Sequence, residues 1–303
     1  MVDNRFPGAG ADARFRSPGV DTRFGSIGVD AEQPADGTDT RFQGTVYGGA
    51  ATLAVVSAFL ARSTRYAQFD GALLRFQTND TSTPVTAAGQ DVGYWGGTGS
   101  ASPLSFAQAT LALRPVARDG YVEFDNLTRY LDGDANMLNL GRNTGVANIW
   151  GRVTMRDLAA QEVIASISTG DGVGQSARIE ARTSGTNGFL IGNLRRVDGD
   201  AQTQGLATTN GVTANVPFSF LLTFDFAAGL LSGYVNGSAD LLVKAIPSPG
   251  VTSNTPALRA RIGSNLNIAV PICAPLNAYK LGFSDGAAPT AAERAALFNT
   301  MAG

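Results

Sequence analysis

The 303-residue chain contains no histidine. Ser-His-Asp and Cys-His catalysis, histidine-ligated zinc and imidazole proton shuttling are therefore closed to a single copy of it. Its one cysteine, Cys273, cannot form an internal disulfide, and in the apolar run AVPICAPL it is expected to be a small buried hydrophobe. Lysine occurs only at Lys244 and Lys280, so basic charge is almost wholly arginine. The planar guanidinium suits carboxylate, phosphate and sugar-ring contacts. Charged residues make up 16% of the chain and the formal net charge is -2, which leaves no global positive field for nucleic acid or an anionic membrane. The longest apolar stretch, AATLAVVSAFLA at 50–61, falls short of the roughly 20 residues needed to cross a bilayer. The start MVDNRFPGAG lacks the apolar centre of a secretory signal. No nucleic-acid partner, no membrane insertion and no cofactor are expected.

What is abundant is glycine, at 37 residues, beside a hydrophobic fraction of 44%. That suits an all-β protein with many tight turns. Before any strand pattern begins, the chain repeats itself. Asp recurs at Asp3, Asp12, Asp21, Asp30 and Asp39, and Gly at Gly10, Gly19, Gly28 and Gly37, in the unit D-x-R-F-x-x-x-G-x. Arg-Phe fills its slot at Arg5-Phe6, Arg14-Phe15, Arg23-Phe24 and Arg41-Phe42, while the fourth unit carries Glu32-Gln33 and Pro34 instead. Calcium β-rolls also repeat every nine residues, but they use two Gly and an Asp per unit with alternating apolar positions, which this unit lacks. One large apolar residue per nine cannot offset the ordering entropy of the segment. Each pair offers a ring for an apolar pocket and a fork for a carboxylate, and linked weak anchors add up to strong avidity. Residues 1–44 are thus expected to be an extended arm that docks onto a repetitive assembly; a flexible linker that arose by duplication is the alternative.

Residues 45–65 form an apolar connector or oligomerisation segment. TVYGGAATLAVVSAFLARS has no clearly polar face, so it should be covered, as a short buried helix or a strand, by the same chain or by another subunit. From residue 66 to 303 the chain breaks into short β-branched and aromatic runs between Gly, Asn, Asp and Thr clusters. Alternation in ARIEA and FSFLLTF turns one side of each strand inward. Regular turn spacing without long helical patterns predicts an antiparallel β-sandwich or jelly roll. Near the end, Thr290 and Glu293 have capping-box spacing after Pro289, which predicts a short C-terminal helix.

Several stretches in chain order resemble the concanavalin-A-like, laminin-G-like lectin/glucanase jelly rolls, in the variety found in bacteriophage structural proteins. They are LRFQTNDTSTPVTAAGQDVGYWGGTGSASPLSFAQATLALRP, DGYVEFDNLTRYL, FDFAAGLLSGYVNG and SDGAAPTAAERAALFNTM. In the second, Asn126 replaces the family's Gly and Arg129 its usual Asp. The resemblance covers roughly residues 70–303. It implies a concanavalin-A-like jelly roll and, as an expectation, a non-enzymatic fibre or spike of a phage or phage-like particle. The arm would attach it to other virion proteins and the jelly roll would bind host surface polysaccharide; relatives are commonly homotrimers. A purely structural capsid-decorating or tail-joining protein is the alternative.

A third alternative is a glycan depolymerase. Glu123 and Asp125, at i, i+2 on one strand face, are the nearest pair, but a glucanase-like E-x-D-x-E would place an acid where Leu127 stands. Oxygen ligands for calcium could come from Asp132, Asp134, Asp171, Asp198 and Asp200, which solvated turns explain more simply, so no metal ligand is assigned. For sugar contacts, Tyr94, Trp95, Trp150, Arg195 and Arg196 are available. Core packing competes for both tryptophans, and adjacent Arg195 and Arg196 should face opposite sides of a strand, so one ligand should meet only one of them.

Overall fold

Which face of a strand is covered follows from which of its alternating side chains are apolar, and several strands here are covered on both. The structure is a computed structural model and describes residues 49–302 except 80, 102–103, 126–127, 171–175, 185–187, 202, 207–210, 238–243 and 265–272. Arg5, Phe6, Arg14, Phe15, Arg23, Phe24, Arg41 and Phe42 lie outside the described residues, as does Asp171.

In chain order the elements begin with α1 (Ala50–Arg62), β1 (Arg65–Asp70), β2 (Arg75–Phe76), β3 (Tyr94–Gly96), β4 (Thr98–Gly99) and β5 (Ser105–Ala107). Then come β6 (Val116–Arg118), β7 (Tyr121–Glu123), β8 (Leu131–Gly133), β9 (Val146–Met155), β10 (Glu162–Ser168) and β11 (Arg178–Thr183). They are followed by β12 (Leu190–Arg195), β13 (Thr203–Leu206), β14 (Phe218–Asp225), β15 (Leu230–Val235), β16 (Lys244–Ala245), β17 (Arg259–Ile262), β18 (Leu276–Asp285) and α2 (Ala291–Met301). One antiparallel sheet has the order β16-β15-β14-β9-β18-β1-β4, with β7 also on β18 and β6 on β7. The other has the order β13-β12-β11-β10-β17-β8-β5-β3-β2. The chain changes sheet between β1 and β2, β3 and β4, β4 and β5, β5 and β6, β7 and β8, β8 and β9, β9 and β10, β13 and β14, β16 and β17, and β17 and β18. The fold is therefore the all-β sandwich that the strand pattern predicts, with a C-terminal helix.

Ala147, Ile149, Val153 and Met155 of β9 and Phe218, Phe220, Leu222 and Phe224 of β14 face Phe106, Leu131, Ile167 and Leu194 of the opposite sheet in one apolar core. The intervening residues of the first sheet are also buried, because both helices cover its back. Trp150 and Leu221 there meet Val56, Phe59 and Leu60 of α1 and Leu297 and Met301 of α2. The segment for which sequence left helix and strand open is thus a helix, covered by the same chain along one side. Its N-terminal half keeps Ala50, Ala51 and Ala54 exposed.

The predicted capping box is formed, the Thr290 side chain accepting from the Glu293 amide and the Glu293 side chain from the Thr290 amide. Glu293 also pairs with Arg62 of α1 at 2.6 Å, so one carboxylate serves both helices. At the end of β18, buried Asp285 accepts from the Arg65 amide at 3.0 Å, the Arg65 Nε at 2.8 Å and the Gly141 amide at 2.8 Å. That carboxylate ties the first sheet to the turn that walls the groove described next.

Candidate functional site

Period-two alternation places Arg178, Glu180 and Arg182 of β11 on one face, while Ile179 and Ala181 point to the core. Register then sets a polar row across the second sheet: Asp132, Arg261, Ser166, Glu180 and Asn193 on five adjacent strands. Arg261 is 2% exposed. It donates to Asp132 from Nε at 2.8 Å and from Nη2 at 3.2 Å, and lies 3.8 Å over the Tyr130 ring. Glu180 receives Asn193 at 3.0 Å and pairs with Arg182 at 2.9 Å.

The next row reads Arg259, Ser168, Arg178 and Arg195. Arg178 and Arg195 are direct cross-strand partners, and like charges placed opposite one another repel. Burial lowers the Arg178 pKa; Glu180 opposes that shift, and Arg195 and Arg182 add to it. Here the strands end at a small groove that is open to solvent. Arg142, Arg178, Arg195 and Arg196 line it, and among the described residues no Asp or Glu does. Leu140, Ile167 and Ile179 contribute apolar surface, and Ser168, Thr169, Thr252 and Ser253 contribute hydroxyl groups.

The far wall is held by short polar links. Gly141 takes a φ of 76° and Asn143 one of 48°, conformations that tighten the turn after Leu140. Thr252 Oγ1 donates to the Gly141 carbonyl at 2.6 Å, and the Thr144 amide donates to Thr252 Oγ1 at 2.9 Å. Arg142 Nε donates to the Asn254 carbonyl at 2.6 Å, while its own carbonyl accepts from Arg65 Nη2. Arg196 Nη1 donates to the Val251 carbonyl at 3.1 Å and its Nε pairs with Asp200 at 3.1 Å. Asp198 accepts from Thr169 Oγ1 at 2.6 Å and the Ala177 amide at 2.7 Å. Those two bonds hold its carboxyl below the usual range against some desolvation, with help from Arg195.

Of the five residues considered for sugar contacts, the structure brings together two. Arg195 and Arg196 both line the groove, contrary to the expectation that adjacency would send them to opposite sides. The pleat ends with β12 at Arg195, and Arg196 is turned by Asp200 and Val251. Tyr94, half-buried and edge-on to Phe76, is on β3, six strand steps from β12. At about 4.8 Å per step that is roughly 29 Å along the sheet. Trp95 is fully buried against Phe69, with Nε1 donating to the Asp70 carbonyl at 2.8 Å. Trp150 is on the other sheet, edge-on to Phe59 beneath α1. Neither indole presents a face to a sugar ring. Sequence reasoning passed over Arg142, Arg178, Ser168 and Thr252; only Arg178 carried a signal, through its alternation with Glu180 and Arg182.

Glu123 is held by ion pairs to both Arg118 and Arg156. Asp125 accepts the Thr128 and Arg129 amides at 2.8 and 2.9 Å. The turn acids are similarly engaged: Asp134 accepts the Asn136 and Met137 amides, Asp132 meets Arg261, and Asp200 meets Arg196. Among the described residues no three His, Cys, Asp or Glu gather as a cation site. Cys273 is buried, which raises its thiol pKa.

No family model and no curated protein matches the sequence. Solved structures with a similar fold include a mutant of the NanB sialidase from Streptococcus pneumoniae, at 12% identity and a TM-score of 0.45, covering 56% of this chain and 26% of that one. A Trypanosoma rangeli sialidase gives 10% identity and a TM-score of 0.48, covering 82% and 38%. The CBM40 of the Ruminococcus gnavus IT-sialidase, solved with α2,3 sialyllactose, gives 12% and 0.44, covering 60% and 92%. The chain spans about a quarter of the length of the pneumococcal sialidase. These likenesses carry no argument about ligand or activity.

Proposed function

We propose that the chain is a non-enzymatic fibre or spike protein of a phage or phage-like particle, anchored through its nonapeptide arm, and that its β-sandwich binds host surface glycan in the arginine-lined groove. The observation that carries the binding half is the groove's chemistry. Planar guanidinium groups and hydroxyl groups surround an apolar floor, which matches the hydroxyl edges and apolar faces of sugar rings. The binding reading is favoured over cleavage because Glu123 and Asp125 are both engaged, in ion pairs and in turn capping. The attachment half rests on the register of Arg5-Phe6, Arg14-Phe15, Arg23-Phe24 and Arg41-Phe42, and on the phage-protein resemblance of the later stretches. Homotrimerisation belongs to that same reading.

Glycan-array binding by the full-length chain tests the first half. Retention of at least one surface polysaccharide, weakened about tenfold or more in Arg195→Gln, is the expected result. A flat array would leave the capsid-decorating or tail-joining role in its place. Incorporation of a chain lacking residues 1–44 into particles tests the second half; normal incorporation would remove the arm from attachment.

A further inference from the structure

Helix α2 stops partway across the back of the first sheet. Arg152 Nη1 donates to the carbonyls of Met301 and Ala302 at 3.1 and 2.7 Å, and Lys280 Nζ to that of Thr300 at 2.7 Å, where the helix ends. Val122 and Ala278 point into the core, so their neighbours Tyr121, Glu123 and Asn277 are on the outer side of β7 and β18. Tyr121 and Tyr279 stand with ring centroids 5.1 Å apart at 49°, both half-buried, and neither belongs to the cluster beneath the helices. Glu123 faces Asn277 in register and is ion-paired to Arg118 and Arg156.

Two polar atoms here are orphaned. Asn277 Oδ1 and Arg156 Nε are both shielded from solvent, and neither has a hydrogen-bond partner among the described residues. A buried group left unmet is costly, and its retention calls for a reason. One atom is an acceptor and the other a donor, and both side chains flank Glu123. A hydroxyl group can meet both, accepting from the guanidinium and donating to the amide. Sugars carry hydroxyls beside an apolar ring face, which is what tyrosine rings take. The Glu123 carboxylate among these groups disfavours an anion, so the fit is to a neutral ring.

We infer that the outer side of β7 and β18 is a second saccharide subsite, in which Tyr121 and Tyr279 take the ring face of a neutral sugar and Asn277 with Arg156 takes one of its hydroxyls. Arg118, whose side chain is 42% exposed, is the movable edge that swings aside to admit it. The subsite is on the other sheet from the arginine-lined groove and does not depend on it. Stability given up by the unmet amide in the free protein is recovered on binding.

The test uses the full chain with neutral trisaccharides of glucose, galactose and N-acetylglucosamine, read by amide hydrogen exchange over β7 and β18. Slowing of about threefold or more by at least one of them, lost in Tyr121→Ala but kept in the groove variant Arg195→Gln, supports the inference. Asn277→Leu gives a readout that needs no saccharide. It removes the unmet group at similar volume, so it should raise the thermal midpoint by about 2 °C or more while abolishing the slowing. No slowing by any of the trisaccharides, or slowing that Tyr121→Ala leaves intact, overturns the subsite and leaves the groove reading untouched. A lower midpoint in Asn277→Leu also overturns it, since a buried water would then already meet the amide.

Discussion

Gly282 shows how a single position constrains the back of the first sheet. It is paired with Trp150 across β18 and β9, and a Cβ there would fall within the indole ring. Gly282→Ala should therefore destabilise the protein by about 1–3 kcal/mol through overpacking. The denaturant midpoint measures this; a loss below roughly 0.5 kcal/mol would mean that Trp150 moves aside freely. Glu162 supplies a second prediction at this scale. It is 6% exposed, and burial, with a smaller push from Asp157, raises its pKa from 4.5 to about 7. A carboxyl whose folded pKa is raised favours the native state below its unfolded value, and loses that contribution as pH climbs through the folded one. Stability should thus fall between about pH 4.5 and 7. Glu162→Gln should flatten that slope and raise stability at pH 8 by about 2 kcal/mol. A pH profile identical in wild type and variant would refute the assignment. Nothing in EVIASIS marks Glu162 as buried, since strand alternation there is broken by a register shift between Val163 and Ala165 that only the paired sheet displays.

Among the elements, the two helices act as one clamp. Thr290→Ala removes the cap of α2 and should cost about 1 kcal/mol. Glu293→Gln should cost more, since the same carboxylate holds Arg62 of α1. Burial opposes ionisation of Glu293, but the Thr290 amide and the Arg62 guanidinium outweigh it and keep the carboxyl below its usual range. The stabilisation is therefore present above the ordinary Glu value of 4.5 and is lost as pH falls through the lower, folded value. Acid titration of helix content, compared between wild type and Glu293→Gln, should show the low-pH step only in the former. The cap of α2 could be read from TAAE because its partners lie three residues apart. The partner of α1 could not, because Arg62 and Glu293 are 231 positions apart.

For the molecule as a whole, residues 1–44 carry one large apolar residue per nine, too few to build a core of their own. Removal of residues 1–44 should leave the thermal midpoint of the sandwich within about 2 °C of the full chain. A larger fall would show that the arm contributes to the core. Strand identity, sandwich architecture and the terminal helix were written in local pattern, where alternation of two and a four-residue cap decide the outcome over a few positions. The groove was not. Its arginines sit at 142, 178 and 195–196 on three separate segments, and the sheet order that removes Tyr94 by six strands also joins Arg178 to Arg195. By itself the sequence determined the repeat, the absence of imidazole chemistry and the β character, all properties of composition and short-range spacing. Tertiary structure alone decided that both tryptophans are core and that four guanidinium groups share one opening, because those facts depend on which distant strands hydrogen-bond to one another.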